Sequence, residues 1–113
     1  MYNQREIVLV PFPYSDLTSV KRRPVVILSN NRFNENREDL VVAAITSKEF
    51  TDEYSVIITN NELEYGILPE PSVIKISKLF TIHKSKVVKK FSILNHSSFE
   101  EVTKKLRLLF ENG

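Results

Sequence analysis

Two uninterrupted apolar runs constrain the fold of this chain more than any other feature of its sequence. They are PVVIL at residues 24–28 and LVVAAI at residues 40–45, and both are rich in β-branched residues or alanine. Short runs that are apolar on nearly every residue are typical of strands covered on both faces. The polar, Asn-rich segment between them, residues 31–39, predicts a loop. We therefore expect the core to form around these two strands.

Shorter apolar stretches predict four further strands. EIVLV at residues 6–10 ends at Pro11, because proline cannot donate a hydrogen bond to a sheet ladder. EYSVIIT at residues 53–59 follows the two buried runs. SVIKISKLFTI at residues 72–82 and KVVKKFSIL at residues 86–94 alternate apolar residues with lysines. This alternation predicts strands that bury one face and turn their lysines outward.

The end of the chain has the one clear helical pattern. Its apolar residues recur on one face of a helix, at Phe99, Val102, Leu106, Leu109 and Phe110. Asn95 or Ser97 is expected to cap this helix, and Ser97 with Glu100 has the spacing of a capping box. Several strands followed by one terminal helix predict a mainly β fold, a small curled antiparallel sheet or barrel with the helix packed on it.

Length and composition exclude several classes of protein. A chain of 113 residues suits a single domain, residues 1–113. No stretch approaches the ~20 apolar residues of a membrane span, and the N-terminus lacks the features of a signal peptide. We therefore expect a cytoplasmic protein with no membrane contact.

The residue types available also limit the chemistry. The chain has no cysteine, which excludes disulfides, thiolate metal sites and cysteine nucleophiles. Its two histidines, His83 and His96, are far apart in the sequence, with no carboxylate at ligand spacing. Only Gly66 and Gly113 are present, so there is no glycine-rich phosphate loop. Neither a metal nor a nucleotide cofactor is expected.

The net charge of +2 is unevenly distributed along the chain. Residues 31–70 carry three cations and nine anions, whereas residues 71–113 carry nine cations and three anions. Together with Lys21, Arg22 and Arg23, the cationic C-terminal region is compatible with a polyanionic partner, although charged runs are more often solvated faces.

Polar residues stand at one end of each buried run. Arg23 immediately precedes the first run, where Pro24 biases it toward an extended conformation. Thr46 and Ser47 follow the second run, so two hydroxyls emerge where burial stops. If the two strands are antiparallel neighbours, the start of one lies beside the end of the other. The guanidinium and the hydroxyls would then share one rim.

Such a rim suits a phosphodiester, because the guanidinium fork matches two phosphate oxygens and no metal is required. RNA is the substrate that requires the fewest catalytic groups, because its own 2′-hydroxyl attacks the adjacent phosphorus. The enzyme then has to orient the attack and stabilise charge. From spacing alone, an arginine before a strand is more often a surface residue or an ion-pair partner. Thr-Ser after a strand is more often a turn. Both interpretations stay open at this point.

Two other groups of side chains invite a functional interpretation. His83 and His96 are candidates for the acid/base pair of a metal-free ribonuclease, although isolated histidines are more often structural or exposed. Phe12, Tyr14 and Phe80 are candidates for stacking on unpaired bases, but aromatic residues in strand-rich chains usually belong to the core. For both groups the structural role is the more common one.

Five segments in sequence order carry a family resemblance. They are EIVLVPFPYSDL, KRRPVVILS, LVVAAITS, PSVIKISKLFTIHKSKVVKKF and SFEEVTKKLRLLF, and they cover nearly the whole chain. In this order they resemble the PemK/MazF family of toxin endoribonucleases, the mRNA interferases of toxin-antitoxin modules. The resemblance implies an SH3-like small barrel with a C-terminal helix, a homodimer, and metal-independent cleavage of single-stranded RNA at short sequences. It also implies a cognate antitoxin whose acidic segment occupies the RNA groove.

The resemblance assigns roles to individual residues. The family's catalytic arginine lies in its Arg-Pro motif, here Arg23-Pro24, and its catalytic threonine closes the strand that ends here at Thr46. Because a guanidinium stays protonated at neutral pH, it is a poor general base. We therefore interpret Arg23 as a stabiliser of charge and Thr46 as the group that positions the phosphate or the 2′-hydroxyl. The residues expected to bind RNA are Tyr14, Asp16, Arg22, Ser47, Lys75 and Ser77.

Three positions depart from the family pattern. Arg5 replaces the usual glycine before the first strand, where we expect tolerance, and Ser77 and His83 replace two usual aspartates. Some relatives use an acidic residue at the position of Ser77 in substrate contact or catalysis, so turnover rate and specificity depend on this replacement. Two alternatives remain: a non-nucleolytic toxin that grips a protein target, as gyrase poisons of the CcdB type do, and a weakened member that mainly binds its antitoxin.

Overall fold

The strands of this protein form an antiparallel sheet. The computed structural model describes residues 1–11, 21–47 and 51–113. In chain order these residues form β1 (Glu6–Pro11), β2 (Arg22–Ile27), α1 (Asn31–Asn36), β3 (Asp39–Ser47), β4 (Ser55–Ile58), β5 (Ser72–His83), β6 (Lys89–Ile93) and α2 (His96–Phe110). The strands pair in the order β4-β5-β3-β2-β1-β6, each with antiparallel neighbours. The predicted mainly β fold with a C-terminal helix is confirmed.

The two predicted buried strands, β2 and β3, lie at the centre of the sheet and contribute to two apolar clusters. Val26 and Ala43 belong to the cluster that packs against α2, whereas Val25 and Val42 belong to the cluster on the opposite face. Because side chains alternate between the faces of a strand, covering both faces requires apolar residues at successive positions. This explains the uninterrupted runs in the sequence. Burial of each such side chain contributes about 1.5–3 kcal/mol.

Two irregularities bend the sheet. The register between β3 and β5 shifts between Ala43 and Ala44, and the register between β1 and β6 shifts between Ile7 and Val8. Extra residues on one strand, here three on β5 and one on β6, bend that strand and increase its twist. These shifts account for a curled sheet rather than a flat one.

The segment predicted as a loop between β2 and β3 contains the short helix α1, so that prediction was wrong. Asn30 caps the helix by accepting a hydrogen bond from the Phe33 N–H at 2.8 Å. The buried side chain of Asn34 donates to the carbonyl oxygens of Tyr2 and Ser29, at 3.2 and 3.0 Å. Polar contacts rather than an apolar stripe hold this helix, and hydrophobic periodicity therefore did not reveal it.

The C-terminal helix α2 begins where the first of the two proposed caps places it. Asn95 accepts a hydrogen bond from the Ser98 N–H at 2.8 Å, so Ser97 lies inside the first turn and the alternative cap at Ser97 was wrong. Phe99 and Val102 are buried. Within the described residues, no helix is long and apolar enough to cross a membrane.

The predicted outward orientation of lysines holds for β6 and for Lys78 of β5, and it fails for Lys75. Lys89 and Lys90 are exposed on β6, which is an edge strand. In β5, however, Lys75 is only 8% exposed, because β5 lies between β4 and β3 and residues 72–76 are buried. Ser77 and Lys78, which follow, are exposed.

Candidate active site

Strand register brings the two predicted catalytic residues to the same end of the sheet. β2 and β3 are antiparallel neighbours in which Val25 pairs with Ala44 and Val26 with Ala43. Continued by two residues along each strand, this register places Arg23 opposite Thr46. The expectation that the start of one buried strand meets the end of the other is confirmed.

A cavity of about 220 Å³ lies at these strand ends. Four of the predicted site residues line it: Arg22 and Arg23 from β2, and Thr46 and Ser47 from β3. Side chains alternate along each strand, so Arg23 and Thr46 share one face of the sheet and Arg22 and Ser47 share the other. The cavity therefore collects cations and hydroxyls from both faces where the strands terminate.

The Thr46 hydroxyl is buried. Its Oγ1 atom has no hydrogen-bond partner in the part of the chain that the structure describes. Leaving a buried hydroxyl unsatisfied costs about 1–3 kcal/mol, and native proteins rarely retain such a group without a role. Thr46 is therefore available to a bound ligand at a cost to stability.

Arg23 supplies a charge beside this hydroxyl. The residue is partly exposed, and within residues 1–11, 21–47 and 51–113 its guanidinium takes part in no ion pair. Arg22, next to it, is exposed. An arginine before a strand more often forms a surface ion pair, but Arg23 forms none among these residues. The cavity thus offers a guanidinium to an anion.

The segment from Leu68 to Glu70 forms a wall of the cavity that the sequence did not reveal. It belongs to the turn-rich connection between β4 and β5. The connection starts with a 3₁₀ turn at Asn60–Glu62, where Thr59 and Glu62 form a capping box. The Leu68 N–H then donates to Asn60 Oδ1 at 2.7 Å. Hydrogen bonds within the connection therefore fix the wall.

Gly66 anchors the same connection against β6. Its φ is +85°, and a Cβ at this position would lie 3.0 Å from the Phe91 carbonyl oxygen and 3.2 Å from Ser92 Cβ. Only glycine combines this backbone conformation with so close an approach. The Ser92 hydroxyl also donates to the Tyr65 carbonyl oxygen. Phe91 itself lines the cavity, so this contact links the connection to the site.

The remaining predicted RNA-binding residues lie elsewhere. Tyr14 and Asp16 fall outside the described residues, as does Phe12. Lys75 pairs with Ala44 while Thr46 pairs with Val73, which makes Lys75 a diagonal neighbour of Thr46 on the same face, typically about 7–8 Å away.

Neither Lys75 nor Ser77 lines the cavity. The RNA-binding roles of these residues stay predictions.

The structure does not bring the two histidines into the cavity. His83 ends β5 at the opposite end from the cavity, and its Nδ1 accepts from the Ser85 N–H at 3.1 Å. His96 is the first residue of α2. Phe80 packs against the apolar cluster of Val25 and Val42, which is the core role expected for most aromatic residues.

Within the described residues, no group of three His, Asp or Glu side chains is arranged to hold a metal ion.

Comparison with protein-family models decides the family. A model described as PemK-like, MazF-like toxin of type II toxin-antitoxin system matches residues 3–110. The chain belongs to this PemK/MazF toxin family. The family relationship that the five sequence segments predicted is confirmed. A search of curated protein sequences finds no significant match.

Solved structures with this fold include other members of the PemK/MazF family. A mycobacterial endoribonuclease in complex with its cognate antitoxin is 15% identical, with a TM-score of 0.80 and complete coverage of both chains. The Mycobacterium tuberculosis toxin MazF-mt6 is 21% identical, with a TM-score of 0.77 and coverage of 94% of this chain and 96% of that one. A MazE-MazF structure from Deinococcus radiodurans is 18% identical, with a TM-score of 0.78 and coverage of 96% and 94%. At these identities the likeness shows the fold.

Proposed function

We propose that this PemK/MazF-family protein is an endoribonuclease toxin that cleaves single-stranded RNA, including mRNA, at short sequences and so inhibits translation. One observation carries the proposal: a buried Thr46 hydroxyl, which has no hydrogen-bond partner among the described residues, lies opposite Arg23 in a cavity at the ends of two central strands. A binding module has no need of this pair. A phosphodiester needs both groups, a cation for its oxygens and a hydroxyl to orient it.

The chemistry proposed for the cavity is an attack of the RNA on itself. The ribose 2′-oxygen attacks the adjacent phosphorus and gives up its proton, and the bond from phosphorus to the 5′-oxygen breaks. The products are a 2′,3′-cyclic phosphate and a 5′-hydroxyl, which takes up a proton. Arg23 stabilises the charge that develops on the phosphate oxygens, and Thr46 positions the phosphate or the 2′-hydroxyl. The step requires no metal ion.

Neighbouring side chains are proposed to hold the rest of the RNA. Arg22 and Ser47 line the same cavity and would contact adjacent phosphates. Lys75 adds positive charge near Thr46. We extend the RNA-binding role to Ser77 on β5, and to Tyr14 and Asp16 in the connection between β1 and β2.

The partners proposed are a cognate antitoxin and a second copy of the chain. Antitoxin complexes of the mycobacterial endoribonuclease and of the Deinococcus toxin support the first. An acidic antitoxin segment would compete with RNA for Arg22 and Arg23, because carboxylates and phosphates bind guanidinium groups in the same way. We propose that the toxin acts as a cytoplasmic homodimer.

The proposal is tested with purified protein and a mixed-sequence single-stranded RNA in the presence of EDTA. The wild type should cleave, and Arg23→Ala and Thr46→Ala should each slow cleavage by about 10²–10³-fold. Arg107→Ala, which removes an exposed arginine of α2, and Thr103→Ala, on the same helix, are the matched controls and should cleave normally. Undiminished cleavage by either site variant would exclude these residues from catalysis. Inhibition of gyrase without RNA cleavage would favour the non-nucleolytic alternative.

A further inference from the structure

The Leu68–Glu70 wall separates two cavities. Its three residues line the cavity of Arg23 and Thr46, and they also line a second cavity of about 170 Å³. The second cavity is completed by Thr59, Asn60 and Pro71. A space this small, below the roughly 300–1,000 Å³ of drug-sized ligand sites, suits a single planar ring. The second cavity therefore lies on the other side of the Leu68–Glu70 wall from the proposed position of the scissile phosphate.

The amide of Asn60 has a fixed orientation in this second cavity. Its Oδ1 accepts the Leu68 N–H at 2.7 Å, so the other end of the amide must be Nδ2 with its two hydrogens. In the part of the chain that the structure describes, Nδ2 donates to no other residue, and Asn60 is exposed. Asn60 therefore offers a pre-oriented pair of donors at the cavity.

The hydroxyl of Thr59, which also lines this second cavity, is already hydrogen-bonded. Thr59 Oγ1 donates to Glu62 at 2.8 Å and accepts from the Asn61 N–H at 3.2 Å. Of the remaining lining residues, Leu68, Pro69 and Pro71 are apolar and pack against the faces of a ring, whereas Glu70 brings a carboxylate. A small slot with apolar side chains along its walls and one oriented amide donor suits the edge of an unpaired base.

We propose that this cavity is a base-binding subsite that reads one nucleotide beside the scissile bond through the Asn60 NH₂ group. The inference rests on the proposed function. The group donates to an acceptor on the base edge, such as the O4 of uracil or the O6 of guanine, and disfavours an amino group at the same place. Asn60 thereby determines part of the cleavage sequence, while Arg23 and Thr46 perform the cleavage.

The variant Asn60→Asp isolates this group. It keeps the oxygen that accepts the Leu68 N–H and replaces only the outward NH₂ with an oxygen. At one position beside the cleaved bond, the preference should move by about tenfold from bases that present an acceptor toward cytosine or adenine, which present an amino donor. Asn61→Asp is the matched control, because it adds the same charge at the next residue, which lies outside the cavity lining.

The readout is the sequence at every cleavage end of a mixed-sequence RNA, together with the total cleavage rate. A changed preference in Asn60→Asp and not in Asn61→Asp supports the subsite. Unchanged preferences in both, with cleavage intact, overturn the subsite and leave the proposed function standing. A change shared by both variants also overturns it, since charge alone would then explain the effect.

A second assay separates the two proposals. Should the wild type cleave no RNA, the proposed function fails, and the subsite is judged by the affinity of the wild type and Asn60→Asp for short single-stranded RNAs that differ in one base. A base preference that Asn60→Asp reverses supports the subsite, and identical affinities across the set overturn it. Thermal unfolding of Asn60→Asp and Asn61→Asp should match the wild type, because the bond to Leu68 is retained.

Discussion

Arg23 and Thr46 lie opposite each other at the ends of the two central antiparallel strands, where Arg23 brings a guanidinium to the cavity and Thr46 a buried hydroxyl that residues 1–11, 21–47 and 51–113 leave without a hydrogen-bond partner. The core fixes both positions, because residues 25–27 after Arg23-Pro24 and residues 42–45 before Thr46 are buried in the sheet. Catalytic groups held by buried strands are positioned more rigidly than groups on loops. At Thr46 stability and activity oppose each other, because the buried hydroxyl that we propose for catalysis lowers the stability of the fold.

The first prediction concerns this opposition at Thr46. Thr46→Val removes the unpaired hydroxyl and keeps the shape of the side chain, so the free energy of unfolding should stay unchanged or rise by about 1 kcal/mol. Cleavage of RNA should be lost, whereas Thr46→Ser should retain it. Urea unfolding and a cleavage assay on the same preparations measure both. A Thr46→Val protein that is markedly less stable would show that the hydroxyl has a structural partner.

The second prediction concerns the cavity wall. Gly66→Ala should lower the free energy of unfolding by about 1–3 kcal/mol, since alanine is strained at a φ of +85° and its Cβ would lie 3.0 Å from the Phe91 carbonyl oxygen. Gly113→Ala makes the same substitution where nothing lies within 4 Å and should change nothing. Thermal unfolding compares them. Equal stabilities would contradict the close approach of the connection to β6.

The third prediction concerns Arg5, which has a φ of +78°. This left-handed backbone favours glycine, the residue that the family resemblance implies here. The Arg5 side chain offsets the strain by donating to the Leu94 carbonyl oxygen at 2.6 Å and to Glu64 at 2.9 Å. Arg5→Gly should therefore be more stable than Arg5→Ala by about 1 kcal/mol, because both lose these bonds but only alanine retains the strain. Denaturant unfolding of both variants measures the difference, and the opposite order would refute this explanation.

These features differ in how far the sequence could predict them. The two central strands and the proximity of Arg23 and Thr46 follow from local patterns, because continuous apolar runs and the polar residues beside them can be recognised in the sequence alone. The burial of Lys75 depends on β5 lying between two other strands, which no local pattern encodes. The Leu68–Glu70 wall depends on the hydrogen bond from the Leu68 N–H to Asn60 inside the same connection, which no apolar periodicity indicates. Gly66, in a chain with two glycines, was the one visible signal that the connection had a tight geometry.

The fourth prediction concerns the charge of the site. RNA affinity should fall steeply with salt, because phosphate contacts release counterions. In Arg22→Ala the slope of log K against log salt should decrease by about 0.7, the value for one lost contact to a single strand. Arg107→Ala removes an exposed arginine of α2 and should leave the slope unchanged. Fluorescence anisotropy with a labelled RNA at several salt concentrations measures the slopes. A flat dependence in the wild type would exclude a cationic RNA groove.

The most direct test of the Arg23–Thr46 site is a double-mutant cycle on the RNA cleavage rate. Arg23→Ala and Thr46→Val should each slow single-turnover cleavage by about 10²–10³-fold, the usual effect of removing one group that stabilises a developing charge. Because both residues act on one phosphate, the double variant should be about as slow as the slower single variant. Two effects that simply multiply, or single variants within about threefold of the wild type, would contradict a catalytic centre built from this pair.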